Sequence, residues 1–107
     1  MNQDNVKVLK WTEDKLPDET SIRRRMAAEN LSPYLWSNGP GDVYAAHSHG
    51  YKKIICVTGG SITFGLMDTD GKITLETGDR LELPAGVKHH AIVGPQGVSC
   101  LEAHRDE

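Results

Sequence analysis

From position 34 onward the chain alternates short apolar-rich runs with clusters of turn residues. The runs are YLWS (34–37), DVYAAHSH (42–49), KIICVT (53–58), SITFGLM (61–67), KITLE (72–76), DRLELP (79–84), HHAIV (89–93) and VSCLEAH (98–104). Between them stand NGPG, GG, DTDG, TGD, PAG and GPQG, whose Gly, Pro, Asn and Asp supply the backbone freedom or side-chain hydrogen bonds that tight turns need. A strand and its turn together take roughly 8–12 residues, the rhythm of an all-β sandwich or barrel. No helical pattern separates the runs, which excludes parallel βαβ units. One helix is predicted before them, from Asp18 to about Asn30. Pro17 and Asp18 suit its start, Glu19 complements the positive end of its dipole, Ile22 and Met26 form an i, i+4 apolar pair, and Asn30 suits its stop. Residues Val6 to Trp11 alternate weakly and predict a short edge strand. The expected layout is thus an arm of strand and helix over residues 1–33, then a barrel over residues 34–107.

Composition narrows the class. The 107 residues are enough for one domain. Twelve Lys and Arg against fifteen Asp and Glu give a net charge of -3, which argues against a nucleic-acid partner, since phosphate binding needs clustered cations. The longest apolar runs are four or five residues, far short of the ~20 that span a bilayer, so no membrane partner is expected. The first residues lack the apolar stretch of a signal peptide, and the expected location is the cytoplasm. Cys56 and Cys100 each lie in an apolar run and read as free core thiols. Arg23, Arg24 and Arg25 are consecutive, so they point around the helix and read as a solvated face. Trp11, Trp36 and Tyr34 read as core or interface residues.

The histidines carry the chemistry. His47 and His49 are two apart, and on a strand that spacing sends both imidazoles to one face, which is half of a metal site. His90 alternates away from His89 and reads as structural, and His104 reads as a surface residue near the end of the chain.

Two blocks then match a family pattern. Gly41, His47, His49, Lys53 and Gly60 follow the first cupin motif, G-x5-H-x-H-x3,4-E-x6-G, with Lys in place of Glu. Gly78, Pro84, Gly86 and His89 follow the second, G-x5-P-x-G-x2-H-x3-N, which ends here in Val93. The chain therefore resembles a small single-domain cupin. That resemblance implies a jelly-roll barrel with one divalent metal ion (Fe, Zn, Ni or Mn) in its mouth, and it carries His47, His49 and His89 over as ligands. Lys53 occupies the fourth ligand position, and a protonated Lys has donors only. Three outcomes stay open: a three-His site, a carboxylate such as Glu102 substituting, or a metal-free pocket with a positive Lys. Lys53 shares the face of Ile55 and Val57, hence the barrel interior. An inward ammonium requires an anionic partner, either Glu102 or the carboxylate of a small anionic ligand.

Three functions fit. The first is a metal enzyme, dioxygenase-like in its three-His set. The second is a non-catalytic small-molecule binding module. The third is a metal-free isomerase-type cupin using His or Lys. The N-terminal strand would leave an open edge unless it pairs, so a homodimer is expected.

Overall fold

The computed structural model describes residues 5–106. Seven strands and one helix follow one another as β1 (Lys7–Leu9), α1 (Glu19–Ala28), β2 (Tyr34–Asn38), β3 (Val43–His47), β4 (Lys52–Leu66), β5 (Lys72–Glu76), β6 (Arg80–Leu83) and β7 (His89–Arg105). All pairings are antiparallel. The helix begins where expected, with the Asp18 carboxylate accepting from Ser21 N at 2.8 Å, and Asn30 ends it in the left-handed region at φ 62°.

Two strands are longer than the turn signals suggest. Residues 53–58 and 61–67 were expected as separate strands around a Gly-Gly turn, as were 89–93 and 98–104 around GPQG. They are instead the continuous strands β4 and β7, paired along their length, with register shifts between Val57 and Gly59 and between Gly60 and Ile62. Glycine here builds a bulge that bends the ribbon rather than a turn that ends it. Gly60 has φ 74°, and a Cβ on it would overlap the carbonyl of Gly97 across the ribbon.

The bend folds one seven-stranded sheet over on itself, giving it two halves. The first half of β4 pairs with β6, which pairs with β1, and the second half of β7 pairs with β2. Beyond the bend, β4 pairs with β5 and β7 with β3. Alternation along each strand then sorts the side chains. Ile55, Val57, Ile62, Phe64, Leu75, Leu81, Ala91, Val93 and Cys100 fill the barrel. Ile54, Cys56, Leu101 and Ala103 point the other way, where Ile22, Met26 and Leu31 of the helix region cover them. The two cysteines are buried on opposite faces and both are free thiols. This is an all-β jelly roll with one short helix on its outer face.

Two corrections concern position. The predicted strand 42–49 stops at His47, so His49 lies just past its end. The N-terminal strand is not left unpaired, because β1 hydrogen-bonds β6 of its own chain. Arg24 and Arg25 are exposed, as expected of a solvated helix face, with Arg25 over the Trp11 ring at 4.5 Å and Arg23 paired with Glu19 at 2.8 Å on the helix surface.

Candidate functional site

His47 ends β3 and His89 begins β7, directly opposite each other in the register of that pair. The turn at Pro84 and Gly86 delivers His89: Gly86 N donates to the His49 carbonyl at 2.8 Å, and Gly86 has φ 82°. His49 completes the group, with ring centroids 4.7 Å from His47 and 5.4 Å from His89. The ligand atoms of the three residues all lie within 4.8 Å of one another.

The hydrogen bonds of the outer ring nitrogens decide what these imidazoles offer. His47 Nδ1 donates to the Ala45 carbonyl at 2.6 Å and His89 Nδ1 to the Val87 carbonyl at 2.9 Å. A carbonyl only accepts, so both protons sit on Nδ1 and both Nε2 atoms carry a lone pair. His49 Nδ1 meets the Tyr51 hydroxyl at 3.1 Å. The Nε2 atoms of His49 and His89 are buried and have no partner. Burial, then the charge of Lys53, pushes His49 down to about 4, and burial also lowers His89. Unpartnered buried ring nitrogens cost free energy unless something fills the space between them. A divalent ion fits that donor set, and three neutral imidazoles suit Fe, Zn, Ni or Mn.

Lys53 faces the same cavity, as its alternation with Ile55 and Val57 predicts, and its Nζ lies 3.4 Å from Glu102 Oε1. Glu102 is 4% exposed and fully engaged. Trp36 Nε1 donates to Oε1 at 2.9 Å, while the Tyr34 hydroxyl and His104 Nε2 each donate to Oε2 at 2.6 Å. Burial alone would raise the pKa of Glu102. The Tyr34 bond, the Lys53 charge and the His104 and Trp36 bonds outweigh it and hold the carboxyl below the usual range. Four donors on two oxygens leave Glu102 no place as a fourth ligand, and it is not part of the three-His group.

Other residues gain roles. Trp36 packs against the barrel core, as expected, and with Tyr34, Tyr44 and Tyr51 it also lines the cavity. His104 is exposed, as expected, and it also stacks on Tyr51 with centroids 3.9 Å apart and holds Glu102. Its i, i+2 phase with Glu102 was the available signal. His90 is exposed on the outer face, as expected.

No family model and no curated protein matches the sequence. Solved structures do. A cupin superfamily protein from Desulfitobacterium hafniense superposes with a TM-score of 0.60 over 100% of this chain and 83% of that one, at 18% identity. The chain has the cupin fold. The chain also matches KdgF from Halomonas sp. (TM-score 0.59, 20% identity, 95% of this chain and 78% of that chain). The DMSP lyase DddQ from Ruegeria pomeroyi gives 0.64 at 22% identity over 72% of this chain. That match spans only 39% of the lyase's length. At these identities the likeness establishes the cupin fold, and the chemistry of the site rests on the residues themselves.

Proposed function

We propose that this cupin binds one divalent first-row ion, Fe, Zn, Ni or Mn, through His47, His49 and His89, and that it binds or transforms a small anionic metabolite in the cavity beside it. The observation that carries this reading is the pair of buried, unpartnered Nε2 atoms on His49 and His89, with His47 in the same cluster. Three neutral ligands leave such an ion its full 2+ charge and open positions, so it supplies Lewis-acid and substrate-orienting chemistry and favours an anion. This chain's own residues do the rest. Phe64, Ile62 and Ala91 form an apolar floor that limits water, and Lys53 adds a cation whose field is tempered by Glu102. The metal-free isomerase alternative gains little support, because Lys53 is ion-paired and Glu102 has no free lone pair to move a proton. Whether the protein turns its ligand over, dioxygenase-like, or only holds it is decided by assay of the metal-loaded form. We further propose a cytoplasmic homodimer. The side of β1 away from β6 is its candidate contact edge.

Elemental analysis of untagged protein tests the reading. About one equivalent of a single divalent ion is expected after reconstitution, with loss of it in His47→Ala and His89→Ala. Less than about a tenth of an equivalent of any ion defeats it.

A further inference from the structure

The chain has three Tyr, two Trp and one Phe, and five of these six residues, Tyr34, Trp36, Tyr44, Tyr51 and Phe64, line the cavity that holds the histidine cluster. Trp11 alone lies elsewhere, beneath Arg25. The polar handles of the wall are already spent inside the protein. Tyr34 and Trp36 donate to Glu102, Tyr44 donates to Asn38 Oδ1, and Tyr51 bonds His49. What these side chains offer a ligand is therefore ring surface and ring edges, not hydrogen bonds. Among the described residues, the buried side-chain polar atoms left without a partner are His49 Nε2 and His89 Nε2. The cavity thus has two chemically distinct parts: a polar head site at the histidines, and an aromatic wall with an apolar floor of Ile62 and Ala91.

We infer that the ligand is an aryl-bearing acid, with an oxygen-donor anionic head at the histidine cluster and one flat ring against the aromatic wall. This inference rests on the metal-binding reading above and names the ligand class for it. Three observations select a flat ring. Trp36 and Tyr44 already meet edge to face, with centroids 6.1 Å apart at 72°, and Trp36 is held in its plane by the bond to Glu102. A fixed π surface of that kind favours another ring over a saturated group of equal size. The cavity measures about 330 Å³, at the small end of ligand pockets, which suits one ring and a short acid side chain. Aromatic boxes also suit methylated onium cations. Here, however, the one acid of the wall is neutralised by Lys53 and three further donors, and Lys53 itself lines the cavity.

The test is calorimetric titration of the zinc-loaded protein with mandelate, hexahydromandelate, lactate and glycine betaine. The first three share one 2-hydroxy acid head and differ in the tail: a flat ring, a saturated ring of similar size, and a methyl group. Mandelate is expected to bind several-fold tighter than hexahydromandelate and more than about ten-fold tighter than lactate. In Phe64→Leu and Tyr44→Leu the preference for mandelate should shrink while zinc content stays unchanged. Equal or tighter binding of hexahydromandelate or lactate, tightest binding of betaine, or no binding by zinc-loaded protein each overturns the aryl assignment and leaves the metal reading standing. Failure to take up zinc overturns the metal reading, and this inference with it.

Discussion

His47 and His89 hold their protons on Nδ1 because carbonyl oxygens can only accept, but the Nδ1 partner of His49 is a hydroxyl, which can donate or accept. Tyr51 therefore governs whether His49 presents a lone pair at Nε2. Its ring is also stacked between His49 at 4.9 Å and His104 at 3.9 Å. Tyr51→Phe keeps the stacking and removes the hydroxyl. Metal affinity measured by chelator competition is expected to fall about 10–100-fold, the usual effect of losing the hydrogen bond that orients a ligand. An unchanged affinity would leave Tyr51 only a packing role. The histidines, Lys53 and its inward face were legible in the sequence, because motif spacing and strand alternation are local patterns. Tyr51 and His104 were not. Lys53 stands opposite His104 in the β4·β7 register, and only that long-range pairing brings His104 beside Glu102, which lines the cavity. The cavity face of Tyr34 and Trp36 was hidden for the same reason, although Trp36 does pack against the barrel core.

At the scale of elements, the β4·β7 ribbon positions both ends of the site: His89 starts β7, Lys53 stands near the start of β4, and Glu102 lies near the end of β7. Its bend depends on Gly60, where positive φ and the nearby Gly97 carbonyl leave no room for a side chain. Gly60→Ala should cost on the order of 2–3 kcal/mol, read from the urea midpoint. Gly59→Ala is the control, since nothing lies within 4 Å of a Cβ there and its φ is not positive. Equal effects at the two positions would count against a bend set by Gly60. Strand content was readable from composition and turn spacing, but the continuity of the ribbon was not. Glycine pairs mark turns and bulges alike, and the choice depends on a partner strand more than thirty residues away.

For the whole molecule, acid should act in two stages on the metal-free protein. His49 is held at about 4 against an ordinary 6.5, so the unfolded chain takes up that proton first and stability falls as pH drops from about 6.5 to about 4. Asp79, Glu82 and Glu102 are lowered despite burial, through bonds and charges from Lys10, Lys52, Arg80, Lys53 and Tyr34. Their contribution is complete above their unfolded values near 4 and disappears as pH falls through the lower folded values. Urea midpoints at pH 7.5, 5.5 and 3.5 should decrease in that order, and His49→Asn should flatten the first interval. A midpoint that rises on acidification contradicts the assignment. The placement of the two thiols gives the molecule a pair of internal clocks. Burial holds Cys56 near 11 and Cys100 near 12, so neither reacts until its surroundings open. Cys56 is sealed by the helix and Cys100 by the barrel. The rate at which each is alkylated therefore times a different event, helix detachment for one and barrel opening for the other. Capture of Cys56 before Cys100 is the expected order, since Cys56 keeps 7% of its surface exposed and Cys100 none.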